Sequence, residues 1–193
     1  MVSSFFRYIG YTLAVMINDL EFLDDDFRPL VNTLLDNCIK RGVLMVPSET
    51  IRSPFQQAIY WCQSRTAAEI DSVITNLKQQ KADFLASCIE AAGVMEGPKI
   101  TNALPGYSWH QWGEALDCYW QMDGKAIWDT EILINGTNGY EVYATEARKL
   151  KLEAGFYWTT IKDAVHVQFR EAGSPLDLYT VEEINEIMKY NYT

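Results

Sequence analysis

Ser108-Trp109-His110-Gln111-Trp112-Gly113-Glu114-Ala115-Leu116-Asp117-Cys118-Tyr119-Trp120 is the stretch whose reading decides the fold. Ahead of Gly113 it has no periodicity and mixes aromatic with polar side chains. From Ala115 to Trp120 it alternates, which predicts a strand with Ala115, Asp117 and Tyr119 on one face. Gly113 permits the tight backbone between loop and strand, and small Ala115 leaves space beside Asp117. A second alternation sets Val165, Val167 and Phe169 against His166 and Gln168, so Asp163-Ala164-Val165-His166 leads into another strand. Two neighbouring strands would present Asp117 and His166 to a single point.

Working outward, Asp24-Asp25-Asp26 precedes a helical stripe of Phe27, Leu30, Val31, Leu34, Leu35, Cys38 and Ile39 that Gly42 ends. Val43 to Val46 is expected as a short buried strand limited by Pro47. Ser53-Pro54 opens a second helix with an apolar face of Phe55, Ala58, Ile59 and Cys62. Thr66 to Glu69 is a capping box, starting a long helical stretch to Gly93 that Lys78 to Lys81 can break into two helices. A loop from Gly97-Pro98 runs through Pro105-Gly106 to the first motif. Asp123-Gly124 predicts a hairpin turn before Lys125 to Trp128. Asn135-Gly136 and Asn138-Gly139 mark a loop, a helix is expected from about Glu141 to Gly155, and Thr180 to Glu183 caps a terminal helix. No repeat, low-complexity tract or linker interrupts the pattern. Helices mixed with short antiparallel strands predict an α+β fold: a single domain with a small antiparallel sheet flanked by helices.

The chain has 193 residues, 48% of them hydrophobic, enough for a substantial core. Its net charge of −10 argues against nucleic acid as a partner. Cys38, Cys62, Cys88 and Cys118 form no Cys-x-x-Cys pair and are expected as buried free thiols; Cys118, on the strand face opposite Asp117, is not a candidate ligand. Residues 1–16 form an apolar segment, too interrupted to predict a stable membrane span. Its outline fits a signal-like leader, a packed extension, or a stretch upstream of a start at Met16, so the export route stays open. Residues 17–193 are expected to hold the catalytic domain. No pattern encodes oligomeric state, and a monomer is consistent with the sequence.

The chain's two histidines, His110 and His166, each stand near an aspartate. Two imidazoles and one carboxylate are a normal ligand set for catalytic zinc, which keeps its fourth position open. His110, Asp117 and His166 are therefore the candidate ligands of one Zn2+ ion. Asp163, just ahead of the second strand, is placed to act as a general base without binding the metal. Trp109 and Trp112 divide between a cleft floor and the core, while Trp120 is expected in the core.

Ser-x-His-x-x-Gly-x-Ala-x-Asp followed by Asp-x-x-His resembles the zinc peptidoglycan peptidases. These comprise the D-Ala-D-Ala carboxypeptidases, the vancomycin-resistance (VanY-like) enzymes and dipeptidases, and the L-alanyl-D-glutamate endolysins, within a Hedgehog/D,D-peptidase-like fold. The resemblance spans roughly residues 17–172. It implies a small antiparallel sheet carrying the site, with His110, Asp117 and His166 as zinc ligands and Asp163 as catalytic base. Ile51-Arg52-Ser53 and Gln57 resemble the family's Arg-Ser-x-x-x-x-Gln segment, which implies that Arg52 stabilises the oxyanion. Gln57 and Ser108 would then orient substrate or the groups behind it. Arg65 resembles a Gly-Arg-Thr segment, with Ser64 where Gly is usual, and a surface charge at a helix end explains it equally well.

Three departures accompany the likeness. Thr66 to Ile100 is longer than in compact endolysins, implying a helical insertion beside the cleft. Trp158 to Lys162 lacks the family's Gly-rich, second-Trp pattern. The short stretch after Gln168 is expected to hold no separate wall-binding domain. The implied activity is zinc-dependent hydrolysis of peptidoglycan stem peptides. Aspartate as base favours L-alanyl-D-glutamate endopeptidase over D-Ala-D-Ala carboxypeptidase or dipeptidase. A non-catalytic zinc-containing binding domain is the third reading.

Overall fold

The computed structural model describes residues 19–193, so the expectations for residues 1–16 lie outside it. The architecture is α+β, and the described residues fall into two compact units. One, the sheet unit, comprises residues 19–51 and 113–171; the other, the helical unit, comprises residues 52–112 and 172–193.

The sheet unit contains α1 (Phe27–Lys40), β1 (Leu44–Glu49), β2 (Ala115–Met122), β3 (Lys125–Ile127), α5 (Gly139–Lys149), β4 (Glu153–Ala154) and β5 (His166–Gln168). Its antiparallel sheet runs β1-β2-β5-β4, with β3 also paired to β2. Alternation along β2 sends Leu116, Cys118 and Trp120 into a core with Phe27, Val31 and Leu34 of α1 and Tyr140 and Tyr143 of α5. Asp117 and Tyr119 stand on the other face and are only partly buried. Asp123 and Gly124, with φ of 50° and 75°, make the expected β2–β3 turn.

Two boundaries differ from expectation. Strand β1 continues through Pro47 to Glu49, because it is an edge strand among the described residues, where a missing N–H can point away from the ladder. Helix α5 starts at Gly139 and stops at Lys149, well short of Gly155. The Asn138 side chain accepts hydrogen bonds from the N–H groups of Tyr140 and Glu141, capping the earlier start. Only glycine fits at its first position, since a Cβ on Gly139 would lie 2.4 Å from the Trp120 ring. Lys151 takes φ 61° to turn the chain into β4.

The helical unit contains α2 (Pro54–Cys62), α3 (Ala67–Gln79), α4 (Asp83–Ala92), a 3₁₀ turn at Trp109–Trp112 and α6 (Val181–Tyr192). The long helical stretch does break, with Lys81 at φ 59° between α3 and α4. Helix α4 has no cap of its own, and α6 supplies one: buried Asn185 Oδ1 accepts the N–H groups of Phe84 and Leu85. The core joins Ala58, Cys62, Leu77, Leu85, Ile89 and Met188. Phe55, expected on the apolar face of α2, is exposed, and Trp61 is buried in its place. The helical periodicity of α2 serves both, but the buried side of α2 packs on α4 and includes position 61.

All four cysteines are buried and free. Burial pushes the Cys38 and Cys88 thiols up to about 12, leaving them protonated and unreactive. No described helix is long and apolar enough to cross a membrane.

Candidate metal centre

Residue by residue, the site begins where Gly113 hands the chain to β2. Gly113 has φ 71°, and a Cβ there would sit 3.0 Å from the Phe22 carbonyl, so the turn into the strand needs glycine. Its own carbonyl accepts the Asp24 N–H at 2.9 Å. Just ahead of β2, Glu114 forms a two-pronged ion pair with Arg170, both contacts at 2.6 Å, and its carbonyl accepts the Phe169 N–H. These bonds fix the register in which Ala115 faces Gln168 and Asp117 faces His166. The sequence offered no signal for this pairing beyond two alternating segments.

Register brings the side chains together. His166 Nδ1 lies 2.9 Å from Asp117 Oδ1, and its Nε2 lies 3.2 Å from Gln168 Oε1. The Trp158 ring packs on the imidazole with centroids 5.2 Å apart. Burial alone would lower the basicity of His166, but the hydrogen bond and charge of Asp117 and the charge of Asp163 outweigh it and raise the pKa above the usual value. Gln168, at the ring nitrogen away from Asp117, and Trp158, packed on the ring, join the site without any motif of their own.

Asp163 is half-buried in the turn before β5. Its N–H donates to the Gly155 carbonyl at 3.0 Å, and its carbonyl accepts the His166 N–H at 3.2 Å. Gly155 is required there, because a Cβ would come within 2.3 Å of the Asp163 carbonyl oxygen. The four-residue spacing of Asp163-x-x-His166 is thus a hydrogen-bonded turn that brings the aspartate charge to bear on the imidazole.

His110 lies on the 3₁₀ turn, 3% exposed, and its carbonyl accepts the Arg52 N–H at 3.2 Å. The turn is held on every side. Trp109 Nε1 donates to the Ala172 carbonyl and Trp112 Nε1 to the Gly106 carbonyl. Trp112 stacks on Tyr179, and the Tyr192 hydroxyl donates to the Gln111 carbonyl at 2.8 Å. Trp109 and Trp112 therefore brace the loop. The Ser108 N–H donates to Gln111 Oε1, closing the turn on itself.

Gln57 is fully buried, and its amide is spent on protein groups. Its Oε1 accepts from Arg52 Nη1 at 2.8 Å and from Gln111 Nε2 at 3.2 Å, while its Nε2 donates to the Ala103 carbonyl and Thr101 Oγ1. It orients Arg52, whose guanidinium also lies 5.1 Å from the Tyr60 ring centre. Arg65 covers the Trp61 ring and donates to the Trp61 and Thr101 carbonyls, so it ties the loop after α4 to α2.

His110, Asp117 and His166 each offer a ligand atom, and these atoms all lie within 4.8 Å of one another. Two ligand atoms on one tetrahedral ion, each about 2.1 Å from it, stand about 3.4 Å apart. Two buried imidazoles and a carboxylate in this span can hold a metal ion, whose binding would compete with protonation of the His166 imidazole.

No family model matches the chain, and no curated protein does. Among solved structures the chain is similar to the crystal structure of the Serratia marcescens L-Ala D-Glu endopeptidase ChiX, at 17% identity and a TM-score of 0.40, over 83% of this chain and 92% of that one. A likeness at that level decides neither fold nor activity, and the residues of the site carry the reading.

Proposed function

We propose that the chain is a zinc peptidase acting on peptidoglycan stem peptides, and that it cleaves the L-alanyl-D-glutamate bond. The observation that carries this reading is the His110-Asp117-His166 cluster with Asp163 in the turn that leads into His166. Bound there, zinc would supply Lewis-acid polarisation of a water and of the scissile carbonyl. Asp163 takes the proton from the attacking water and returns it to the leaving amine. Arg52, held by Gln57, presents a fixed cation to the carbonyl oxygen as negative charge develops. Gln168 and Trp158 keep the His166 ring in one orientation, which fixes the donor that faces the ion. Ser108 closes the turn that carries His110, and Gln57 acts through Arg52. Aspartate as the base supports the endopeptidase over the carboxypeptidase.

The deciding experiment is mass spectrometry of purified peptidoglycan digested by the protein, with and without a zinc chelator. Chelator-sensitive release of new N-terminal D-glutamate ends is expected. Free D-alanine would transfer the activity to the carboxypeptidase branch. A zinc-loaded protein that yields no product would sink the peptidase reading in favour of a binding domain.

A further inference from the structure

Of the six tryptophans, five have their indole engaged inside the fold. Trp61 lies under Arg65, Trp109 and Trp120 are buried, Trp112 stacks on Tyr179, and Trp158 packs on His166. Trp128 is different: it is 59% exposed and meets Tyr119, with ring centroids 5.2 Å apart and planes at 40°. Trp120 pairs with Ile127 across the β2–β3 ladder, so Trp128 follows on directly opposite Tyr119. Tyr119 stands on the same face of β2 as Asp117, two residues along, which sets the two side chains about 7 Å apart. An exposed tryptophan resting on a half-buried tyrosine, beside a ligand-bearing face, suits a partner that is flat and largely apolar.

We infer that Tyr119 and Trp128 form a stacking subsite for the N-acetylmuramyl ring that carries the stem peptide. This rests on the reading that the site cleaves that peptide. Its L-alanyl-D-glutamate bond is separated from the sugar only by a lactyl group and one alanine. Two such units span about 7 Å when extended. A ring bound on Tyr119 and Trp128 therefore fits a scissile carbonyl at the metal ligands. The D-alanyl-D-alanine bond lies beyond the lactyl group and four residues, roughly 17 Å from the ring, too far for the same platform to serve. A neutral pyranose, with one face made of C–H groups, suits the rings of Tyr119 and Trp128.

The test is a calorimetric and NMR titration of the zinc-loaded protein with N-acetylmuramyl-L-alanine, which has no scissile bond. The wild type should bind it and shift the Trp128 indole resonance. Trp128→Ala should weaken binding by about tenfold, whereas Trp128→Phe should stay within about threefold. In a parallel assay, Trp128→Ala should lower by about tenfold the ratio of kcat/KM for N-acetylmuramyl-tripeptide over free tripeptide. Equal binding by wild type and Trp128→Ala, or none by either, overturns the subsite. So does sedimentation showing that Trp128→Ala breaks a self-associated state while sugar binding is unchanged. Sugar binding at Trp128 without hydrolysis of either peptide leaves the subsite standing and removes the peptidase. Hydrolysis of both peptides with no sugar binding does the reverse.

Discussion

In the sheet unit, Asp117 and His166 face each other because two antiparallel strands are paired in register. In the helical unit, His110 and Arg52 depend on a loop braced by tryptophans and on the amide of one buried glutamine. A backbone ladder spreads its hold over many peptide groups, and loss of one side chain leaves the strands paired. Gln57 concentrates the hold: a single side chain meets Arg52, Gln111, Thr101 and Ala103. The first arrangement should tolerate side-chain loss in its geometry, whereas the second should not.

The largest expected effect takes chemistry from the sheet unit without touching its ladder. Asp163→Ala should keep one equivalent of zinc by elemental analysis while peptide hydrolysis falls about a thousandfold. Retention of a tenth of the activity would remove Asp163 as the base. Next comes Arg52→Ala, which should lower kcat about a hundredfold with little change in KM. Gln57→Leu sharpens the contrast, since it should lower kcat in the same direction as Arg52→Ala and cost about 1–3 kcal/mol in urea denaturation. If it costs stability but leaves kcat untouched, the amide supports the fold alone. Gly155→Ala strikes the sheet unit through its backbone, because the new methyl meets the Asp163 carbonyl; about 1–3 kcal/mol of destabilisation is expected in the same denaturation assay. Smallest is Thr66→Ala, which removes the capping box of α3 and should cost about 1 kcal/mol by thermal melting.

Local chemistry was legible where the signal was local. Thr66 and Thr180 open helices with complete capping boxes, and Asp123-Gly124 makes the hairpin turn. Alternation around Asp117 and His166 placed both on strands, but their pairing is a contact between distant parts of the chain that periodicity does not encode. Helix α5 is shorter than its pattern predicts because Lys151, rather than a glycine, takes the left-handed conformation after it, and Gly155 serves the approach of Asp163 instead. At the site, the spacing of the motifs drew attention to His110, Asp117 and His166, which the fold brings within 4.8 Å. The roles of Gln111, Gln168 and Trp158 depend on packing partners and carried no signature of their own. Trp128 reads in the sequence only as the end of the strand after the hairpin, because its further meaning comes from its ring contact with Tyr119.

Pro47 has a consequence for the protein among its own copies. It lies within β1, the outer strand among the described residues, and the register shifts between Pro47 and Glu49. An incoming strand from another molecule would meet a missing donor and a kink within six residues. Strand addition is interrupted there, and this edge is a poor template for cross-β growth in concentrated solution.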